Sequence, residues 1–220
     1  MITREQLRAA LTHRRPGVTS DEDWGQLTVI KEYEHLPIKD KVLLDVGGNI
    51  GAFAVRAAME GCKKVITYEP HPENFTCLSY NTYPWAEVIH PVRAALVTTR
   101  SGEIPLYITN ERTLGSCSIE EFRGRSKIMV PAVNFGDVLD LYKPDGIKMD
   151  CEGAEWKLLN VPLPDCVKDV AAELHFTKKY WREDCLPHVL RKMEEEGFEL
   201  IRAPVNTGKN FHTIAHWRRA

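Results

Sequence analysis

Seven side chains able to do chemistry stand at, or just after, the ends of strand-like runs. Asp45 sits in "KVLLDV", Glu69 ends "KVITYE" and Asp150 ends "DGIKMD". Glu152 and Glu155 follow Asp150 closely, and Glu173 and His175 stand two apart in "KDVAAELHF". Residues two apart on a strand share a face, so Glu173 and His175 can act in one direction. Carboxylates and an imidazole at one mouth support three readings. In the first, one of them removes a proton from an accepting hydroxyl near neutral pH, with His175 the first candidate and Asp150 and Glu152 beside it. In the second, some of the acids hold a divalent cation that lowers the hydroxyl's pKa, with Asp150 and Glu152 as ligands. In the third the group is structural, Glu155 meeting a helix dipole and His175 bonding a loop. Four acids together repel unless a proton or cation is shared, which points to a special role for at least one. A strict requirement for metal is not expected.

A second feature precedes them in the chain. Asp45 leads into Gly47-Gly48-Asn49-Ile50-Gly51, a turn nearly stripped of side chains, as where a ligand approaches the backbone. It is not the dinucleotide fingerprint, because Asn49 stands where the second glycine would be. Nor is it a phosphate-binding Walker loop, which would end in Gly-Lys-Ser/Thr. Glu69 comes eighteen positions after Gly51 and just before Pro70. An acid there can accept hydrogen bonds from the vicinal hydroxyls of a ribose. The plainer alternative is a solvated acid at a helix N-terminus.

These residues need elements to hold them. From Lys41 the pattern alternates "KVLLDV" strand, "IGAFAVRAAMEG" helix, "KVITYE" strand, "PENFTCLSYNTY" helix and "EVIHP" strand. Pro72 suits the first turn of its helix. Later come "DGIKMD" strand, "GAEWKLLN" helix, "KDVAAELHF" strand and "EDCLPHVLRKMEEEG" helix. Such alternation predicts a doubly wound, mostly parallel sheet with helices on both faces. Between the two halves, "RAALVTTRSGEIPLYIT" reads as two strands joined as a hairpin at Arg100-Ser101-Gly102. "KIMVPAVNF" is a further strand and "GDVLDLY" a short helix. "FELIRAP" and "NFHTIAHW" close the chain as a hairpin across "VNTGK", which makes the last strand antiparallel. Helices are expected at Thr3–Thr12 and Trp24–His35, the second ended by Pro37. The layout is then one domain over 1–220, with a helical extension at 1–40 and the core at 41–220. If the strand order switches beside the first strand, Asp45 and Asp150 face one cleft.

Asp45-x-Gly-x-Asn-x-Gly followed by Glu69 resembles motif I and the next acid of class I S-adenosylmethionine-dependent methyltransferases. "LLDVGGNIGAFAVRAAMEGCKKVITYEPHPENFTCLSYN", "DGIKMDCEGAEWKLL" and "AAELHF" together resemble the FkbM family of these enzymes, over Leu43 to Phe176. The resemblance implies a Rossmann-like fold with a seven-stranded sheet, and S-adenosylmethionine as methyl donor. That molecule carries an ammonium, a ribose and an adenine but no phosphate, which suits acids and close backbone approach. Asp45 would face the ammonium, partly through water. Gly47, Gly48 and Gly51 would let the loop pass under the cofactor, and Asn49 would hold that loop. Glu69 and Pro70 would border the ribose, with Asn74 supporting that edge or capping its helix. Val92–Ala95, with Ala94, would border the adenine. Asp150, Glu152 and Glu155 match the family's D-x-E-G-x-E pattern, and Glu173-x-His175 matches its later acidic motif. Glu155 and Glu173 are assigned to the acceptor side. Gly136 departs from the family by replacing the first of two adjacent acids, leaving only Asp137.

The implied reaction is methyl transfer to a hydroxyl of a sugar, glycan or small natural product. Two alternatives stay open. A nucleic-acid methyltransferase would need a basic track, for which Lys148, Lys178 and Lys179 are the available residues. A non-catalytic S-adenosylmethionine-binding protein would bind without turnover.

The totals constrain less. The chain has 220 residues, 27% of them charged, and a formal net charge of -2. That provides no global attraction to nucleic acid or an anionic membrane. Six cysteines with no Cys-x-x-Cys pair, and no membrane-length apolar run, fit a cytoplasmic protein with free thiols. The polar stretch "TLGSCSIEEFRGR" is expected to be a lid, with Ser116 and Ser118 able to touch substrate. Trp217-Arg218-Arg219 is expected to be an exposed end.

Overall fold

The computed structural model describes residues 2–14, 25–108, 119, 126–176, 185–204 and 212–220. In chain order the strands are β1 (Val42–Val46), β2 (Lys64–Tyr68), β3 (Ile89–Val92), β4 (Ala95–Val97), β5 (Gly102–Ile108), β6 (Ser126–Asn134), β7 (Gly146–Met149), β8 (Asp169–His175), β9 (Phe198–Arg202) and β10 (His212–Arg219). The helices are α1 (Arg4–Ala10), α2 (Val29–Glu32), α3 (Ala52–Met59), α4 (Pro72–Thr82), α5 (Phe135–Tyr142), α6 (Glu155–Leu158) and α7 (Cys185–Glu195).

The main sheet has seven strands in the order β3-β2-β1-β7-β8-β10-β9. β1 pairs in parallel with β2 and with β7, and β7 with β8. β10 is antiparallel to both β8 and β9, as the closing hairpin predicts. The chain runs outward from β1 through β2 to β3, then returns to β7 on the other side of β1. The connections that leave the carboxyl ends of the neighbouring β1 and β7 therefore run in opposite directions, toward β2 and β8, and that is the position where open α/β sheets bind ligands.

Alternation along the strands divides the core. Leu44, Ile66, Ile147 and Val170 face one side, where α5, α6 and α7 contribute Phe135, Trp156 and Met193. Leu43, Val65 and Ala171 face the other, where Phe53 and Val55 of α3 pack with Leu7, Leu27, Val29 and Tyr33. The segment read as an extension thus covers one face of the sheet. α1 starts with a reciprocal cap: Gln6 N–H donates to the Thr3 hydroxyl, and Thr3 N–H to the Gln6 side chain. The helix expected at Trp24–His35 is a 3₁₀ turn at Gly25–Thr28 running into the single turn of α2.

Two expectations are corrected. β4 and β5 are not a hairpin: β6 lies between them, parallel to β4 and antiparallel to β5, in a separate three-stranded sheet. A turn at Arg100-Ser101-Gly102 reads the same from sequence whether its strands pair directly or admit a third. The C-terminal end is not exposed either. Trp217 is buried in the core, and Arg218 donates to Asp169 at 2.7 Å.

The glycine turn explains itself more by packing than by a ligand. Gly47 has φ +84°, and a β-carbon there would stand 1.8 Å from the backbone oxygen of Asp150. At Gly48 it would stand 2.2 Å from the Thr67 hydroxyl and 2.6 Å from Leu78. Thr67 is held in place by a 2.7 Å hydrogen bond to Asp45. Gly48→Ala is therefore expected to cost about 1–3 kcal/mol through overpacking. A thermal melt should show a fall of roughly 2–4 °C per kcal/mol for a chain of this size. An unchanged melting temperature would show that the turn has slack.

Candidate active site

A cleft opens at the carboxyl ends of β1 and β7. Its walls come from the end of β1 (Val46, Gly47, Asn49), the end of β2 (Tyr68, Glu69, Pro70), Asn74 of α4, the start of β4 (Ala94, Ala95) and the segment after β7 (Asp150, Cys151, Glu152). Leu106 of β5 and Ile119 add apolar lining. Of the cofactor residues expected from sequence, Gly47, Asn49, Glu69, Pro70, Asn74 and Ala94 line this cleft. Asp45, Gly48 and Gly51 do not. Ser116 lies outside the described residues, as do Ser118, Lys178 and Lys179.

Asp45 is fully buried. It accepts from the Thr67 hydroxyl at 2.7 Å and pairs with Lys148 Nζ at 3.1 Å. Lys148 also donates to the carbonyl of Gly47 at 2.7 Å and stands 3.8 Å from Asp150. Burial alone would lower the Lys148 pKa, but the charges of Asp45 and Asp150 outweigh it and the net shift is upward. Asp45 therefore acts through Lys148 to brace the turn and the Asp150 edge, and is not in line to meet a ligand ammonium directly. Nor is the buried Lys148 available to a nucleic-acid backbone.

Asn49 adopts φ +49°, the left-handed region that Asn tolerates better than most residues. Its N–H donates to Glu69 at 2.8 Å, so the loop is held by this backbone group. Its side-chain oxygen is buried without a partner among the described residues. Glu69 also accepts from His71 N–H at 2.8 Å and from the Asn74 amide at 3.4 Å. Asn74 thus supports Glu69, and His71, not Asn74, is the N-cap of α4. Burial raises the Glu69 pKa, against the lowering effect of these donors. A carboxylate has about four acceptor sites, so Glu69 keeps capacity for a ligand hydroxyl. An orphaned amide oxygen and an acid with spare acceptor capacity fit the ammonium and ribose hydroxyls of S-adenosylmethionine, and a wall without basic side chains fits a ligand that has no phosphate.

Beyond Asp150 the acids converge as expected, but with different roles. Glu155, assigned to the acceptor side, is fully buried and so cannot touch an acceptor. It accepts from Gly153 N–H at 2.8 Å, from His175 N–H at 2.7 Å and from His175 Nδ1 at 2.8 Å. Being the first residue of α6 turns its carboxylate inward, onto the end of β8. Glu173 is likewise buried, hydrogen-bonded to His212 and 3.8 Å from His175. Burial would raise its pKa, but the His212 hydrogen bond and the His175 charge make the net shift downward. Asp137 is exposed in the first turn of α5, away from the cleft wall.

Burial would lower the His175 pKa, yet Glu155, Glu152 and Asp150 carry it well above 6.5. An imidazole held as its cation at neutral pH has no lone pair to take a proton. His175 is at the mouth, as its spacing predicts, but its surroundings suit holding a positive charge and not general base work. Burial pushes Asp150 up to about 6 and Glu152 up to about 8. Glu152 also adopts φ +54°, a strained conformation for a non-glycine residue. Of the two, only Asp150 is predominantly ionised at neutral pH, and 33% of its side chain is exposed.

Sequence reasoning missed Thr67, Lys148 as the partner of Asp45, and His212. Lys148 stands directly opposite Asp45 in the β1–β7 register, and His212 opposite His175 in the β8–β10 register. Such pairs become visible only once strand order is known.

Comparison with known proteins gives the site a context. The model of the methyltransferase FkbM domain matches residues 45–200. No curated protein sequence matches the chain. Among solved structures, magnesium protoporphyrin IX methyltransferase from Synechocystis PCC 6803, with bound S-adenosylmethionine, is similar over 98% of this chain and 90% of its own, at 11% identity and a TM-score of 0.53. Precorrin-6y C5,15-methyltransferase from Geobacter metallireducens is similar over 89% and 88%, at 12% identity and a TM-score of 0.50. Ribosomal protein L11 methylase from Lactobacillus delbrueckii is similar over 88% and 78%, at 13% identity and a TM-score of 0.50. At such identities these likenesses establish the fold, and their different acceptors are their own.

Proposed function

The chain belongs to the FkbM family of S-adenosylmethionine-dependent methyltransferases, and from that premise we propose that it methylates a hydroxyl oxygen of a sugar, glycan or small natural product. The observation that carries this reading is the partly exposed carboxyl group of Asp150 on the cleft wall, beside Glu152. A hydroxyl must lose its proton as its oxygen is alkylated, so an O-methyltransferase benefits from a carboxylate at that point.

When bound, S-adenosylmethionine supplies a methyl group already activated on a sulfonium. The remaining work is positioning and proton handling. Glu69, held by Asn49, His71 and Asn74, would take the ribose hydroxyls. Asn49 would offer its free amide oxygen, and Ala94, Leu106 and Ile119 would enclose the adenine. Asp150 would hold the acceptor hydroxyl and take its proton. Lys148 keeps the Asp150 edge in register with the turn.

The test is to incubate the purified protein with S-adenosylmethionine carrying a deuterated methyl group and a panel of sugars, glycans and polyhydroxylated small molecules. Mass spectrometry should find the label in an alkali-stable methyl ether. Label found only in RNA or DNA would replace this acceptor class, and binding without any transfer would favour the non-catalytic alternative. Among the described residues no helix is long and apolar enough to cross a membrane.

A further inference from the structure

In the antiparallel pair β8–β10, His212 stands directly opposite His175, and Ile214 opposite Glu173. Opposed residues share a face, and so do residues two apart, so His175, Glu173 and His212 project together. The side chains confirm it. Glu173 is hydrogen-bonded to Nδ1 of His212 and lies 3.8 Å from Nε2 of His175. One nitrogen from each ring and one carboxylate oxygen all lie within 4.8 Å of one another.

What fixes the direction of the His175 ring is Glu155. Its carboxylate can only accept, so Nδ1 of His175 carries the hydrogen across their 2.8 Å contact. Nε2 then faces Glu173 and also Glu152, at 3.6 Å. The positive charge between them is the ring's own Nε2 proton, which a bound metal ion would displace. A buried carboxylate orienting an imidazole from behind is also the usual support of a metal-binding histidine.

We propose that His175, His212 and Glu173 bind one divalent transition-metal ion. Two imidazole nitrogens select an ion of the zinc or cobalt kind over magnesium or calcium, which prefer all-oxygen sites. Three protein ligands leave coordination positions open. Asp150 and Glu152 also converge with His175 within 4.8 Å, so the ion's neighbour is the wall of the cofactor cleft. This deepens the reading as an O-methyltransferase and rests on it for its purpose: an acceptor hydroxyl on the ion would be more acidic, within reach of Asp150. The ligand set differs from the Asp150 and Glu152 pair expected from sequence.

The experiment uses chelator-stripped, full-length protein. Zn²⁺ is titrated by calorimetry, Co²⁺ by its visible absorption, and Mg²⁺ serves as the comparison ion. One equivalent of Zn²⁺ is expected to bind, more tightly than Mg²⁺, and Co²⁺ should show the absorption of mixed nitrogen and oxygen ligation. His212→Ala is expected to weaken Zn²⁺ binding by about tenfold to a hundredfold or more, since even groups that merely support ligands are worth that much. Glu173→Gln should do likewise, and melts of both variants without metal verify folding. The inference is overturned if stripped protein binds no Zn²⁺, if Mg²⁺ binds as well, or if folded forms of both variants bind Zn²⁺ like the parent. S-adenosylmethionine affinity, measured on the same samples, separates the two readings. Cofactor binding without Zn²⁺ binding sinks the metal alone, whereas Zn²⁺ binding without cofactor binding sinks the methyltransferase reading alone.

Discussion

Asp150→Asn is expected to lower turnover by ~10²–10⁴-fold while leaving S-adenosylmethionine affinity nearly intact. Asparagine keeps the size and shape of the side chain but cannot accept the proton of an attacking hydroxyl. Three observations place the loss here. Asp150 lines the cleft, while Glu155 is fully buried and Glu173 nearly so. His175 is held as a cation by its carboxylates. Glu152, pushed up to about 8, keeps its proton at neutral pH, whereas Asp150, pushed up to about 6, has lost it. A base raised toward the working pH is also stronger than an ordinary aspartate. The substitution should not unfold the chain, because Lys148 retains Asp45 and the Gly47 carbonyl as partners. Single-turnover rates with a working acceptor would check it. If Asp150→Asn keeps most of its rate and Glu152→Gln loses it, the proton goes to Glu152 instead.

The alternation of strands and helices was readable from short-range periodicity, whereas the switch in strand order, and with it the convergence of the acids, was legible only through the family resemblance. Neither could show which acids keep free surface. Asp45 illustrates this. Its spacing to the glycine turn implied a ligand contact, yet both its partners, Thr67 and Lys148, come from neighbouring strands. Alanine there would strand Lys148 as a buried charge without that counter-ion, at a cost of about 3–5 kcal/mol, so that variant reports on folding before it reports on binding. Glu155 and Glu173 were misplaced for the same reason: spacing gives the face a residue occupies, and packing decides whether that face meets solvent. β6 was found as a strand but not as a partner, because the pairing of the middle strands depends on contacts distant in the chain. The left-handed backbone at Asn49 was also out of reach. From sequence it read as a departure from a glycine fingerprint, whereas in the fold it is one of the few residue types that suit the turn.

Glu69→Gln should weaken S-adenosylmethionine binding by about tenfold to a hundredfold at neutral pH, corresponding to roughly 1.5–3 kcal/mol for a hydrogen bond to a charged group. Glutamine is the informative substitution because it keeps one acceptor oxygen for Asn49 or His71, whereas alanine would leave both N–H groups without their bond. The acid's pH dependence sharpens the test. Burial raises the Glu69 pKa above 4.5, despite the donors around it. The native state therefore binds that proton more readily than the unfolded chain does, so ionisation near neutrality costs stability and the glutamine variant should remain folded. Cofactor binding has the opposite sign, since the ribose hydroxyls need the ionised acceptor. Affinity should accordingly fall as the pH drops through the raised value, beginning above the ordinary carboxylate range. In Glu69→Gln the affinity should start lower and lack this fall. Calorimetry of both proteins across mildly acidic to neutral pH, with melts at each point, would decide it. If the two affinity curves run parallel, the acid limb belongs to another group. The ribose would then have to be placed elsewhere along the cleft, with Asn49 as the next residue to examine.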